Sequence, residues 1–99
     1  MTEPANVSGN VDIQNCVQGV VGEGTQIAGN FECSNNPDGC TLVSSNVKGN
    51  VQINNNGIRS SVQGNTIGGN LQCQGNGSIT DAGHPNTVGG HKEGQCAGF

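Results

Sequence analysis

The sequence predicts an all-β fold, a single β-solenoid of about five coils, from three observations. A V-x-G-N-like motif followed by an apolar residue recurs every twenty residues, at 7–11, 27–31, 47–51 and 67–71. Gly and Asn are greatly enriched, with 18 and 15 of the 99 residues, whereas Phe31 and Phe99 are the only aromatic residues. Each unit also contains short alternations of apolar and polar residues, which are typical of β-strands. A twenty-residue unit this rich in Gly is too short for helical repeats.

The repeat defines the expected organisation of the chain. We expect residues 1–5 to form an N-terminal segment and residues 6–99 to form the solenoid. Its coils are predicted at 6–25, 26–45, 46–65, 66–85 and 86–99. The last coil is degraded, because its motif arrives one residue late, with His91 in place of Asn and Lys92 in place of the apolar residue.

The alternation predicts which side chains point inward. The expected core consists of Val7, Val11, Ile13, Ile27, Phe31, Val47, Val51, Ile53, Ile67 and Leu71. Equivalent residues of successive coils stack about 4.8 Å apart, so the core is a set of ladders. The second half of each coil is less regular, and its best inward column is Gly22, Leu42, Val62 and Ala82.

The Gly-Asn pairs predict the bend after the first short strand of each coil. These corner residues are Gly9, Asn10, Gly29, Asn30, Gly49, Asn50, Gly69 and Asn70. We expect them there because Gly, and Asn to a lesser degree, tolerate a positive φ. Two further asparagine columns are Asn15, Asn35, Asn55 and Asn36, Asn56, Asn76. Such columns either hydrogen-bond amide to amide along the axis or are turn formers that face water, and the sequence favours neither.

Five cysteines in so short a chain favour an oxidising compartment and therefore an extracellular protein. Two of them, Cys33 and Cys73, share a column but lie two coils apart, about 9.6 Å by the ladder spacing, which is too far for a bridge. We therefore expect the disulfides Cys33–Cys40, within one coil, and Cys73–Cys96, between adjacent coils. The spare Cys16 is either buried and inert or a link between chains.

Charge and spacing exclude several classes of function. The chain has three Lys and Arg residues and a net charge of −4, so it lacks the basic patch that nucleic-acid binding needs. It contains no run of 18 apolar residues, so no membrane span is predicted. The histidines, His84 and His91, have no zinc-type spacing to the cysteines, and no serine lies in a G-x-S-x-G motif. We expect no enzymatic activity, no bound metal and no cofactor.

Two stretches near the end of the chain resemble a known type of protein. Residues 65–76, N-T-I-G-G-N-L-Q-C-Q-G-N, and 86–96, N-T-V-G-G-H-K-E-G-Q-C, are similar to the C-terminal module of Asn/Gly-rich repeat proteins of soil bacteria, actinobacteria in particular. The match is close over roughly the last third and rests on the repeat elsewhere; it departs from the module at His91, where Asn is usual. The resemblance implies a secreted, bacterial, non-enzymatic protein with a Cys73–Cys96 pairing, and the family brings no established activity.

A looser similarity is to the ice-recrystallisation inhibitors of grasses. Their short N-x-V-x-G units resemble residues 6–9, 46–49 and 86–89. Their coils are shorter than twenty residues, so the fit is partial.

The expected function lies at the ends and faces of the solenoid. The terminal coils of a solenoid expose backbone N–H and C=O groups that have no partner. Residues 92–94 break the apolar pattern of the last coil and so protect its edge, whereas only residues 1–5 precede the first coil. Our leading hypothesis is an extracellular structural protein that self-associates through its edges into fibres or a surface or matrix assembly. The alternative is binding of ice or polysaccharide by a flat polar face, and a third possibility is a module of a longer adhesin or toxin stalk. The outward columns expected for such a face are Ser8, Ala28, Lys48, Gly68 and Asp12, Glu32, Gln52, Gln72, which contain no Thr row; the acidic pair reads as a solvated face.

Overall fold

Three parallel sheets form the sides of a solenoid in the computed structural model, which describes residues 6–15, 19–21 and 23–99. Sheet A contains β1 (Asn6–Val7), β4 (Gln26–Ile27), β7 (Asn46–Val47), β10 (Thr66–Ile67) and β13 (Thr87–Val88). Sheet B contains β2 (Val11–Gln14), β5 (Phe31–Ser34), β8 (Val51–Asn54), β11 (Leu71–Gln74) and β14 (Lys92–Gly94). Sheet C contains β3 (Gly19–Val21), β6 (Cys40–Val43), β9 (Ser60–Gln63) and β12 (Ile79–Thr80). The described residues contain no helix.

The pairing register confirms the predicted solenoid and its repeat. In sheet A, Asn6 pairs with Gln26, Gln26 with Asn46 and Asn46 with Thr66, each twenty residues on. The next partner is Thr87, one residue late, as the displaced motif predicts. The chain therefore makes about four full turns with a three-sided cross-section. The last coil has described strands in sheets A and B alone.

Side chains from all three sheets meet in a narrow apolar core, as the alternation predicts. The predicted core residues of the second to fourth coils are 0–1% exposed: Ile27, Phe31, Val47, Val51, Ile53, Ile67 and Leu71. Those of the first coil, Val7, Val11 and Ile13, are partly buried and pack against this cluster. Sheet C adds Leu42 and Val62, both 0% exposed.

The inward column predicted for sheet C is wrong at its last position. Ala82 is exposed and has a φ of 52°. The reason is that β12 pairs with β9 at an offset of 19 residues, Ser60 with Ile79, so the column is shifted by one. In β3 the partner of Leu42 is Val21, and Gly22 lies outside the described residues.

The Gly-Asn corners bend where predicted, between sheets A and B, but the reason given for glycine and asparagine is wrong. None of the four corner glycines and none of the four corner asparagines has a positive φ. Instead, glycine leaves room for the preceding coil. A Cβ on Gly49 would lie 2.7 Å from the carbonyl oxygen of Gly29 and would collide with Oδ1 of Asn30. Close approach between coils therefore selects glycine at this position.

The asparagine column at positions 15, 35 and 55 forms turns rather than a ladder. Asn15, Asn35 and Asn55 are exposed and have φ values of 56°, 58° and 56°. Asn is among the few residues with a side chain that visit this left-handed conformation readily. These residues therefore follow the strands of sheet B as turn formers that face water.

Candidate functional site

An exposed asparagine at the corner between sheets A and B links each coil to the next. Oδ1 of Asn10 accepts the backbone N–H of Asn30 at 2.7 Å, and the same bond recurs at 2.8 and 2.9 Å in the next two coils. Asn70 ends the row by accepting the N–H of His91 at 2.8 Å. Because the side chain of His91 has no amide oxygen, this acceptor is not repeated in the last coil.

A buried asparagine ladder occupies the corner between sheets B and C. Oδ1 of Asn56 accepts the backbone N–H and the side-chain Nδ2 of Asn36, at 3.1 and 3.0 Å. Nδ2 of Asn56 donates to the carbonyl of Cys33 and to Oδ1 of Asn76, both at 3.0 Å. Of the two interpretations of the column at 36, 56 and 76, the amide ladder is therefore the correct one.

A second buried ladder, at the corner between sheets C and A, was not predicted. Asn65 accepts the backbone N–H of Ser45 at 2.9 Å, and its Nδ2 donates to the carbonyl of Leu42 and to Oδ1 of Asn86, also at 2.9 Å. The column was hidden in the sequence because Thr25 and Ser45 occupy it in the first two coils and an inserted residue puts Asn86 at a spacing of 21. Residue 65 is nevertheless only 1% exposed, which shows how closely this corner packs.

Both buried ladders end on a segment that we call the cap, residues 95–99. Oε1 of Gln95 accepts the backbone N–H and Nδ2 of Asn76, both at 2.9 Å. The carbonyl of Phe99 accepts the backbone N–H of Asn86 at 2.6 Å. The cap thus satisfies donors that would otherwise point out of the end of the solenoid.

The structure contains both predicted disulfides. Cys33 and Cys40 are joined across one coil with their Cα atoms 6.4 Å apart, and Cys73 and Cys96 are joined between adjacent coils at 5.4 Å. All four are 0% exposed. Cys16 lies outside the described residues.

Sheet A presents an exposed face whose rows lie in register. Its exposed row consists of Asn6, Gln26, Asn46, Thr66 and Thr87, and a second exposed row consists of Ser8, Ala28, Lys48, Gly68 and Gly89. A shallow groove of about 310 Å³ runs between the rows over the first three coils. Sequence analysis did not identify the first row, because its residues are Asn and Gln in the first three coils and Thr in the last two.

In the acidic column on sheet B, Glu32 accepts hydrogen bonds from two neighbouring side chains. Asp12 and Glu32 are register partners, and Oε1 of Glu32 accepts Nε2 of Gln14 at 3.1 Å and the hydroxyl of Ser34 at 3.5 Å. Within the described ranges, no three His, Cys, Asp or Glu side chains group around a common point. No helix of the described chain is long and apolar enough to cross a membrane.

The two ends of the solenoid differ. At the end formed by the first coil, Val7, Val11 and Ile13 are partly exposed, whereas their counterparts in the second coil are 0–1% exposed. At the other end, the cap covers the core with Cys96, which is fully buried, and Phe99, which packs against the apolar cluster.

Comparison with protein-family models, with curated proteins and with solved structures gives no match to this chain.

Proposed function

We propose that this protein is a non-enzymatic, extracellular structural repeat protein whose copies associate through the edges of the solenoid into fibres or a surface or matrix assembly. The carrying observation is the incomplete burial of the end formed by the first coil, which we call the first-coil end. Its residues Val7, Val11 and Ile13 keep part of their apolar surface in water. Burying such surface against another molecule is favourable, at about 25 cal/mol per Å².

Backbone donors at the first-coil end support the same proposal. In the third coil the N–H groups of Lys48 and Gly49 donate to carbonyls of the coil before it, both at 2.9 Å. The equivalent groups of the first coil, on Ser8 and Gly9, have no preceding coil among the described residues. An edge of this kind is a template for pairing with another chain.

Two disulfides support an extracellular location. Disulfides persist in oxidising compartments and are rare in the cytosol. Both are fully buried here, and both join parts of the solenoid that the fold already brings together. They are consistent with a small protein stabilised for life outside the cell.

The test is light scattering after size-exclusion chromatography, over a concentration series of the oxidised protein. We expect the apparent mass to rise with concentration. Ser8→Pro removes an edge N–H without breaking any described hydrogen bond, and should shift association to higher concentration by tenfold or more. Ser8→Ala keeps that N–H and is the matched control. A single-chain mass at every concentration would overturn the proposal.

The face of sheet A supports a second candidate, binding of a repeating polar surface such as ice or a polysaccharide. Its in-register row of amides and hydroxyls offers a hydrogen-bonding group at each coil, about 4.8 Å apart. Ice-recrystallisation and polysaccharide pull-down assays test it with Gln26→Ala, which removes one member of the row. Gln52→Ala, on sheet B, is the control. Equal activity of the two variants, or none in the parent protein, would reject this candidate.

A further inference from the structure

We infer that Asn56 and Asn76 are deamidation sites that the folded ladder between sheets B and C keeps closed, so that a long stay in the unfolded state becomes irreversible. The reactants are the protein itself and water. The inference goes beyond the proposed function and does not depend on how copies associate. It rests on where two Asn-Gly sequences lie in the fold.

The two Asn-Gly sequences are Asn56-Gly57 and Asn76-Gly77. Of the 15 asparagines in the chain, each of the others is followed by a residue with a side chain. Glycine makes the preceding asparagine reactive, because its nitrogen is unshielded and its backbone is free to bring that nitrogen to the side-chain amide. These two asparagines are therefore the most reactive of the unfolded chain.

Both reactive asparagines belong to the buried ladder, where they are 3% and 7% exposed. The exposed corner asparagines are followed instead by large inward residues, as Asn30 is by Phe31 and Asn50 by Val51. The reactive sequence therefore occurs where folding buries the amide.

The reaction is a cyclisation followed by hydrolysis. The backbone nitrogen of Gly57 attacks Cγ of Asn56, a new C–N bond closes a cyclic imide, and the Cγ–Nδ2 bond breaks. The side-chain nitrogen leaves as ammonia, which takes up the proton that Gly57 loses. Water then opens the imide at one of its two carbonyls. The products are aspartate and isoaspartate, and in isoaspartate the main chain runs through the side-chain carbon.

The folded protein holds both reacting groups of the first site. The N–H of Gly57, which must lose its proton, donates to the carbonyl of Asn36 at 2.8 Å. The amide of Asn56 takes part in four hydrogen bonds of 3.0–3.1 Å. The carbonyl of Pro37 lies so close to Gly57 that it leaves no room for even a Cβ. The imide therefore cannot close unless this corner opens.

The second site is held in the same way. The N–H of Gly77 donates to the carbonyls of Asn56 and Gly57, at 3.0 and 2.9 Å. Oδ1 of Asn76 accepts the backbone N–H and Nδ2 of Asn56, both at 3.0 Å. Nδ2 of Asn76 donates to the carbonyl of Ile53 at 2.8 Å. Deamidation at either site therefore requires local or global unfolding.

Neither product fits the ladder. Aspartate places an oxygen where Nδ2 of Asn56 now donates to the carbonyl of Cys33 and to Oδ1 of Asn76. Isoaspartate lengthens the main chain between coils that pair at a spacing of twenty residues. A chain that reacts while unfolded therefore cannot rebuild this corner, and chemical modification of the unfolded state is a known route to irreversible unfolding.

The test compares the folded, oxidised protein with the same protein unfolded in guanidinium chloride, both at the same mildly alkaline pH. Peptide mapping by mass spectrometry measures the loss of each side-chain amide. We expect residues 56 and 76 to deamidate at least tenfold faster in the unfolded chain than in the folded one. They should also react at least tenfold faster than the other asparagines of the unfolded sample. Equal rates in the two states, or even modification of all asparagines, would overturn the inference.

Dilution of the same sample out of denaturant tests the irreversibility. Modified and unmodified chains share one history, so their recoveries compare directly. We expect the folded fraction, isolated by size-exclusion chromatography, to be depleted at least tenfold in chains modified at residue 56 or 76. Equal proportions of modified chains in the folded and unfolded fractions would overturn this part of the inference.

Two variants test the coupling to folding without denaturant. Phe31→Ala leaves both Asn-Gly sequences unchanged and removes a fully buried side chain, so deamidation at residue 56 should become at least tenfold faster as the open population rises. A Phe31→Ala chain that fails to fold should react at the rate of the unfolded parent. Gln52→Ala, at an exposed position of sheet B, should keep the rate of the folded parent. Equal slow rates in the two variants would overturn the coupling.

Discussion

The buried ladder at the corner of sheets B and C predicts that Asn56→Asp destabilises the protein severely, although the two side chains have nearly the same shape. Asn56 is 3% exposed, and its amide takes part in four hydrogen bonds of 3.0–3.1 Å. The substitution keeps Oδ1, which still accepts from Asn36. It replaces Nδ2 by an oxygen that faces two acceptors, the carbonyl of Cys33 and Oδ1 of Asn76.

The magnitude follows from the two bonds that are lost. A buried polar group left without its partner costs about 1–3 kcal/mol, so we expect the free energy of unfolding to fall by about 2–6 kcal/mol at neutral pH. For a domain of this size, that lowers the melting temperature by at least about 8 °C. Thermal and urea unfolding, followed by circular dichroism, measure both quantities.

We expect the stability lost in Asn56→Asp to be larger at neutral pH than at acidic pH. Burial among acceptor oxygens raises the pKa of the introduced carboxyl above its unfolded value of about 3.9. The deficit relative to the parent protein is therefore full above the raised pKa and shrinks as the pH falls towards about 3.9, since the protonated acid can donate again.

Asn55→Asp makes the same chemical change one residue earlier, at an exposed turn position with a φ of 56° that Asp also tolerates. We expect it to change the free energy of unfolding by less than about 0.5 kcal/mol. Equal losses for the two variants would refute the assignment of the ladder as the stabilising element.

Three further predictions are tested by the same unfolding measurements. Gly49→Ala should cost about 1–3 kcal/mol because its Cβ would meet the coil before it, whereas Gly9→Ala, with nothing within 4 Å, should be tolerated. Phe31→Ala, at a fully buried site, should cost about 3–5 kcal/mol. Replacing both cysteines of Cys73–Cys96 by serine should cost about 3.4 kcal/mol in the loop-entropy model, against about 2.5 kcal/mol for the other disulfide, because the closed loop is longer. The reverse order would show that strain or unfolded-state structure dominates.

Much of the fold could be predicted because the repeat acts at two levels that agree. The period of twenty fixes which residues stack, and the alternation within each coil fixes which of them point inward. Together they gave the core and both disulfides, since the distance between stacked coils alone excludes Cys33 from bridging to Cys73. The same reasoning wrongly placed Ala82 in the inward column of sheet C, because a one-residue shift in register moves a side chain to the other face.

The corners were harder to predict because one residue type serves three purposes there. Asparagine supplies an exposed acceptor at position 30, a left-handed turn at position 35 and a buried amide at position 36. Sequence alone cannot separate these roles, since all three columns recur every twenty residues. Only the path of the chain shows that position 35 points to water and position 36 into the corner.

The buried asparagine ladders also explain how a solenoid with so narrow an apolar core can be stable. Each of the two corners that hold a buried ladder encloses backbone N–H and C=O groups, which must be hydrogen-bonded without water. An asparagine amide has two N–H donors and an acceptor oxygen. It hydrogen-bonds to the coil before it and, through its second N–H, to the equivalent asparagine of the coil after it. Inward, corner and glycine positions are therefore committed to structure in every internal coil. The positions that remain free to vary are the outward rows and the two ends of the solenoid. We therefore expect any surface that recognises a partner to lie there.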